Sequence, residues 1–229
     1  MSTTAQTTAA DLALALRATL APLRGSSGAS RRKGLIWFEL TAAGSYRLTS
    51  TWQRQWARAH APNPDPTPYA GPALPPCALN VRDAEELVAV LSHWRSVPAD
   101  SPVRILADTA LIRVEIDTPR PGYSRTFPNL AHTAPAPAGR FDPPGRHMLH
   151  PRATVLASPT LAHLITDRPQ YLTDQHLALY DVPGEPSLTA WTLSDRAHGR
   201  IYLPARQRDY TPQRATLDAL DAWHTLPAA

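Results

Sequence analysis

The chain has one cysteine, one lysine and no long apolar run, and each scarcity closes off a class of protein. A lone Cys77 cannot form an internal disulfide, so a disulfide-stapled secreted scaffold is excluded and a reducing compartment fits. No histidine lies close to it in sequence to activate it, so it reads as a small residue entering a strand and not as a catalytic thiol. The apolar run around residues 35–38, like every other in the sequence, is far short of the ~20 residues a helix needs to span a bilayer. Residues 1–10 are rich in Thr and Ala, with no basic residue ahead of an apolar stretch, which is not a secretory signal; the expected location is cytoplasmic. The sequence has no Gly-rich phosphate loop opening a helix, no G-x-S-x-G and no H-E-x-x-H. His147 and His150 are three apart, but no Cys, Asp or Glu at ligand spacing completes a metal site with them. Asp108, Asp117, Asp195 and Asp209 stand singly and suit turns and strand ends. The expectation is a protein that is not an enzyme and carries no cofactor or metal.

With Lys33 the single lysine, the positive charge rests on 22 arginines and the net charge is +4. The planar guanidinium fork suits phosphate, although a GC-rich coding sequence gives the same bias. With 229 residues, 43% of them hydrophobic, the chain can build two domains of roughly 110 residues each.

Proline clusters at 62–76 and 135–151 and divides the chain into three blocks. The first block opens with an amphipathic helix striped by Leu12, Leu16, Leu20 and Leu23, with Arg17 and Arg24 off the stripe. A Gly/Ser loop at 25–30 and the triplet Arg31, Arg32, Lys33 follow. Strands are expected at 35–40, with Ile36, Phe38 and Leu40 on one face, then after a Gly44 turn at 45–51 and 55–61. The second block repeats this order: a strand at 78–81, a helix over 83–94 striped by Leu87, Val90, Leu91 and Trp94, and strands at 103–107, 111–117 and 123–127. The third has a strand at 154–157, a helix opening on Ser158-Pro159, strands near 176–182, 187–194 and 200–204, and a last helix opening on Thr211-Pro212. Four helices head four strand–helix–three-strand units, the fourth ending after its helix.

Gly44 to Thr51 (GSYRLTST) resembles the "g-x-l-x-l-T-a-T" strand of the first domain of bacterial DNA polymerase sliding clamps, the beta subunit family. Residues 123–130 (YSRTFPNL), with Phe127, Pro128 and Asn129, resemble the end of that domain, and 156–165 (LASPTLAHLI) the opening of the second. Residues 189–204 (TAWTLSDRAHGRIYLP) are similar to a later strand pair, with Asp195 and His198 in the region of its Asp and His. The likeness runs from about 10 to 226 in a shortened form without the third domain. It implies an α+β, DNA-clamp-like fold of repeated β-α-β-β-β units, with helices on one side of antiparallel sheets. The boundaries are domain one at 1–134 and an incomplete domain two at 135–229. The family's peptide pocket lies between domains two and three and is not carried over.

The resemblance makes basic residues on the first helix and its loop the candidates for double-stranded DNA: Arg17, Arg24, Arg31, Arg32 and Lys33, with Arg206, Arg208 and Arg214 a second group. Asp83, Glu85 and Glu86, at the head of the second helix, would repel phosphate. Trp52 and Trp56, beside Arg54 and Arg58, are candidates for base stacking. Three functions follow. The first is a clamp-like processivity or tethering platform on DNA without sequence readout, as a homo-oligomer or with a replication or repair protein. The second is an adaptor that pairs with a clamp or another protein and binds no DNA. The third is a single-stranded nucleic-acid-binding protein.

Overall fold

The computed structural model describes residues 6–24, 34–65, 71, 73–93, 97–118, 122–139, 141, 177–182, 184–185, 188–193 and 195–202. The strand expected at 154–157, the helices from Ser158 and Thr211, and both Trp94 and Trp223 lie outside these residues.

The first unit is β1 (Thr7–Thr8), α1 (Ala9–Arg24), β2 (Leu35–Leu40), β3 (Tyr46–Trp52) and β4 (Gln55–Ala61). The second repeats it as β5 (Cys77–Asn80), α2 (Val81–Leu91), β6 (Pro102–Ala107), β7 (Leu111–Ile116) and β8 (Tyr123–Pro128). Three further strands follow: β9 (Leu177–Asp181), β10 (Leu188–Leu193) and β11 (Ala197–Tyr202). Every strand pair is antiparallel, and the class is α+β.

The two units exchange their leading strands. β1 pairs with β6, giving a sheet of order β1-β6-β7-β8, and β5 pairs with β2. The larger sheet runs β5-β2-β3-β4-β11-β10-β9, so it draws strands from both sides of residues 134/135. β1 is two residues long and pairs with Pro102 and Val103 of β6. The Ile105 N–H instead donates 3.1 Å to the buried Tyr46 Oη, carried on β3 of the other sheet. A side chain of one sheet thereby satisfies a buried backbone donor of the other.

Helix α1 departs from the amphipathic reading. Leu12, Leu16, Leu20 and Leu23 are fully buried, but so are Ala15, Ala18, Thr19 and Ala21 around the rest of its surface. It packs on β4, β3, β11, α2 and β6. Ala57, Ala59 and Ala61 line the β4 face beneath it, so small side chains on both elements permit a close approach. Alanine is apolar enough to bury a second face that a leucine stripe does not reveal.

Helix α2 starts two residues earlier than expected. Asn80 is its cap, its Oδ1 accepting from the Asp83 N–H at 2.8 Å, and the helix ends at Leu91. β11 also starts three residues early, at Ala197, because the turn from β10 closes tightly at 195–196. Gly199 makes the β11–β4 seam possible. A Cβ there would overlap the Trp56 carbonyl oxygen and lie 3.0 Å from both Ala57 Cα and Trp191 Cε2.

Asn129 explains the FPN segment physically. Its Nδ2 donates to the carbonyls of Asp108 (2.7 Å) and Pro76 (3.1 Å), and its Oδ1 accepts from the N–H groups of Ala131 (3.1 Å) and Ala78 (3.2 Å). Its own N–H donates to Ala110 O at 2.8 Å. One buried side chain thus joins the β6–β7 turn, the entry to β5 and the end of β8. Asn129→Ala strands these groups without partners and is expected to cost about 2–4 kcal/mol in urea unfolding. An unchanged midpoint would contradict this role.

Candidate nucleic-acid interface

Of the candidate DNA contacts, Arg17 has its side chain placed, and it is drawn inward. It is nine-tenths buried on α1, and its Nη2 donates to Ser92 Oγ at 2.8 Å. Ser92 is the C-cap of α2, a helix with no basic residue in its own last turn. Arg17 therefore supplies the cation that the negative end of α2 attracts. Arg24 closes α1, with its side chain outside the description; Arg31, Arg32, Lys33, Arg206, Arg208 and Arg214 lie outside the described residues, as do His147 and His150.

The exposed part of α2 is mostly acidic. Glu86 pairs with Arg125 of β8, and burial raises the Asp83 carboxyl above its ordinary range. Other exposed cations are also matched: Arg113 to Glu115 at 3.1 Å, and Arg54 to Glu185 at 3.1 Å. Arg196 bridges the β10–β11 turn to α1 through Asp11 at 3.4 Å.

The outward face of the large sheet is different. Strand register places Glu39, Trp37, Arg47, Thr49, Thr51, Trp56, Arg58, His60, His198, Arg200 and Tyr202 on one face. Arg47 is opposite His60, Arg58 lies between Thr49 and His198, and Arg200 is opposite Trp56. The three arginines therefore step diagonally across β3, β4 and β11, with neighbours ~7–8 Å apart. Among the described strand residues of this face Glu39 is the carboxylate, 3.4 Å from Arg47.

At the β4–β11 seam, Phe141 docks on this face. Its ring meets Trp56 edge-on, with centroids 5.4 Å apart, and the Arg58 guanidinium lies 4.8 Å from the ring centre. Its carbonyl accepts from His198 Nε2 at 2.8 Å, which places the proton on Nε2 in the neutral ring. Trp56 is also flanked edge-on by His198 and has Arg200 at 6.0 Å. Trp56 is buried, while Trp52 packs half-buried against the main core. Neither indole of the expected stacking pair is an open platform. Only strand register groups Arg47, Arg58, Arg200 and Tyr202, by laying β11 beside β4.

Among the described residues, no group of three or more His, Cys, Asp or Glu side chains could hold a metal, and no helix is long and apolar enough to cross a membrane. Burial drives the Cys77 thiol up to about 12.

No family model matches the chain, and no curated protein matches it. Solved structures do. A beta clamp of Helicobacter pylori in complex with 5-chloroisatin is 12% identical, with a TM-score of 0.47 over 90% of this chain and 64% of that one. The beta subunit from the DNA polymerase of Streptococcus pyogenes is 9% identical, with a TM-score of 0.47 over 90% of this chain and 65% of that one. The DNA polymerase III subunit beta of Pseudomonas aeruginosa is 13% identical, with a TM-score of 0.39 over 94% and 55%. All three are beta clamps or DNA polymerase beta subunits. This chain spans about two thirds or less of their length.

His198 gives a pH test. Burial first, then the Arg58 and Arg47 guanidiniums, push its pKa down to about 4, against the opposing pull of the Phe141 carbonyl. An unfolded histidine titrates near ~6.5, so between these values the unfolded chain binds more protons and stability falls as pH falls. The contribution is whole above ~pH 6.5 and lost towards pH 4, about 3 kcal/mol in all. Urea midpoints should fall across this window, and His198→Gln should flatten the fall. Parallel profiles for the two proteins would remove His198 from this account.

Proposed function

We propose that the chain is a non-catalytic, clamp-like tethering protein that associates with double-stranded DNA without reading its sequence. The observation that carries the reading is the pair of β-α-β-β-β units with exchanged leading strands, which agrees with the order and motifs read from the sequence. Among the described residues β8 forms one sheet edge, with mostly exposed side chains, and β9 another. An unpaired edge can accept a strand from a second copy or from a replication or repair protein. In this reading the DNA contacts are Arg24, Arg31, Arg32, Lys33, Arg206, Arg208 and Arg214, acting on phosphates. Arg17 acts by fixing α2 to α1.

The adaptor reading, which binds no DNA, is favoured by the acidic α2 surface and the inward turn of Arg17. The two separate on a nicked circular plasmid compared with the same plasmid linearised, each at low and high salt. The proposal expects retention on DNA, and salt-resistant retention confined to the circle means encirclement. Absence of binding to both forms overturns it and leaves the adaptor. Arg17→Met should lower stability by about 1–2 kcal/mol yet leave the salt dependence of DNA binding unchanged. A reduced salt slope would make Arg17 a phosphate contact after all.

A further inference from the structure

We infer that the outward face of the β3–β4–β11 strands binds single-stranded nucleic acid, with phosphates on Arg47, Arg58 and Arg200 and a base on Tyr202. This face lies opposite the α1 side of the sheet and is separate from the double-stranded contacts proposed above.

Three observations carry the inference. First, the three arginines stand on a diagonal across three hydrogen-bonded strands, at residue positions ~7–8 Å apart, a spacing from which their long side chains can reach successive phosphates of an extended strand. A sheet holds this spacing rigidly, which a loop of basic residues cannot do. Second, three arginines and two histidines lie together among the described residues of this face, with Asp195 and Asp11 close enough to act on His60. His60 and His198 sit among the arginines, and Glu39 stands on β2, where its side chain is 56% exposed. Arg196, paired with Asp11 and Asp195, lies beside His60, whose backbone N–H donates to its carbonyl at 2.8 Å. The pKa values of His60 and His198 are both lowered by burial and by these guanidiniums, as expected where cations converge.

Third, Tyr202 is one of three large apolar side chains exposed among the described residues, at 40%, and follows Arg200 on the same face by two residues. Its backbone is fixed, the N–H donating to Gln55 Oε1 at 3.0 Å, so the ring stands on a rigid strand. An exposed aromatic next to arginines gives a base a stacking surface, and stacking accepts any base. A duplex keeps its bases stacked on each other and cannot use Tyr202, so the face favours a single strand. An acidic protein segment would satisfy the arginines but leave the ring unused.

The test is fluorescence anisotropy of labelled oligo-dT with the full chain across a salt series, with a duplex of equal length and poly-glutamate as competitors. Arg47→Gln with Arg200→Gln should weaken oligo-dT binding about tenfold or more and reduce the salt slope by about 1.4, the value for two lost phosphate contacts on a single strand. Tyr202→Ala should weaken it about fivefold or more while leaving the slope unchanged. Glu39→Gln, which removes the rim carboxylate, should tighten binding, a gain that misfolding cannot produce. Arg113→Gln on the other sheet is the control and should match wild type. The inference is overturned if the wild type ignores oligo-dT, if these variants bind as wild type does, or if poly-glutamate or duplex competes better than unlabelled oligo-dT. Plasmid retention of the Arg47/Arg200 variant should remain that of wild type, so either function can fail without the other.

Discussion

Helix α1 sits where the two sheets meet, and its side chains set how closely they can come together. It touches β6 of the small sheet and β3, β4 and β11 of the large one, and it is buried around its circumference from Leu12 to Leu23. Its alanines face Ala57, Ala59 and Ala61, so the backbones approach more closely than leucines on both sides would allow. Interiors pack to near-crystalline density, and a larger residue at such a contact would have to displace a sheet. The exchanged strands act in the same direction. β1 leads into α1 but pairs with the other unit's β6, and β5 leads into α2 but pairs with β2, so neither unit can detach without breaking its partner's sheet. Tyr46, reaching from one sheet to the Ile105 amide of the other, and Asn129, joining three segments of the second unit, complete the cross-links.

Charge is distributed around this constraint. A helix buried on all sides cannot present a row of cations to a ligand, and the arginine it carries is turned to the end of α2. On the small sheet Arg113 and Arg125 pair with Glu115 and Glu86, and Asp11 of α1 pairs with Arg196 of the β10–β11 turn. The outward face of the large sheet keeps its arginines together because antiparallel register, once fixed by the alanines and Gly199 on the inner face, places alternate residues outward.

Local signals in the sequence were readable and long-range ones were not. The alternation of Ile36 and Phe38 and the Gly44 turn locate β2 and β3, and β4 follows from the same period, because strand periodicity is written in consecutive residues. The α2 boundary was misplaced because Asn80 is at once the last residue of β5 and the helix cap. The strand exchange and the Asn129 contacts are invisible locally, since the hydrogen bonds that Asn129 accepts from Ala78 and donates to Pro76 span 51 and 53 residues. The candidate site suffered most. Arg47, Arg58 and Arg200 are ordinary strand residues until β11 is laid beside β4. Trp56, beside Arg58 in sequence terms, looked like a platform until Phe141 and His198 covered it.

The central claim is that exchanged strands and α1 make the two units one cooperative body. Native-state hydrogen exchange at rising denaturant measures this directly, by following the amides of Leu79 in β5, Ile105 in β6 and Ala59 in β4. The account predicts that all three exchange through a single opening, with the free energy and denaturant dependence of global unfolding. If Ile105 exchanged through a separate, less costly opening of β6–β8 while Ala59 stayed protected, the units would be independent and the account contradicted.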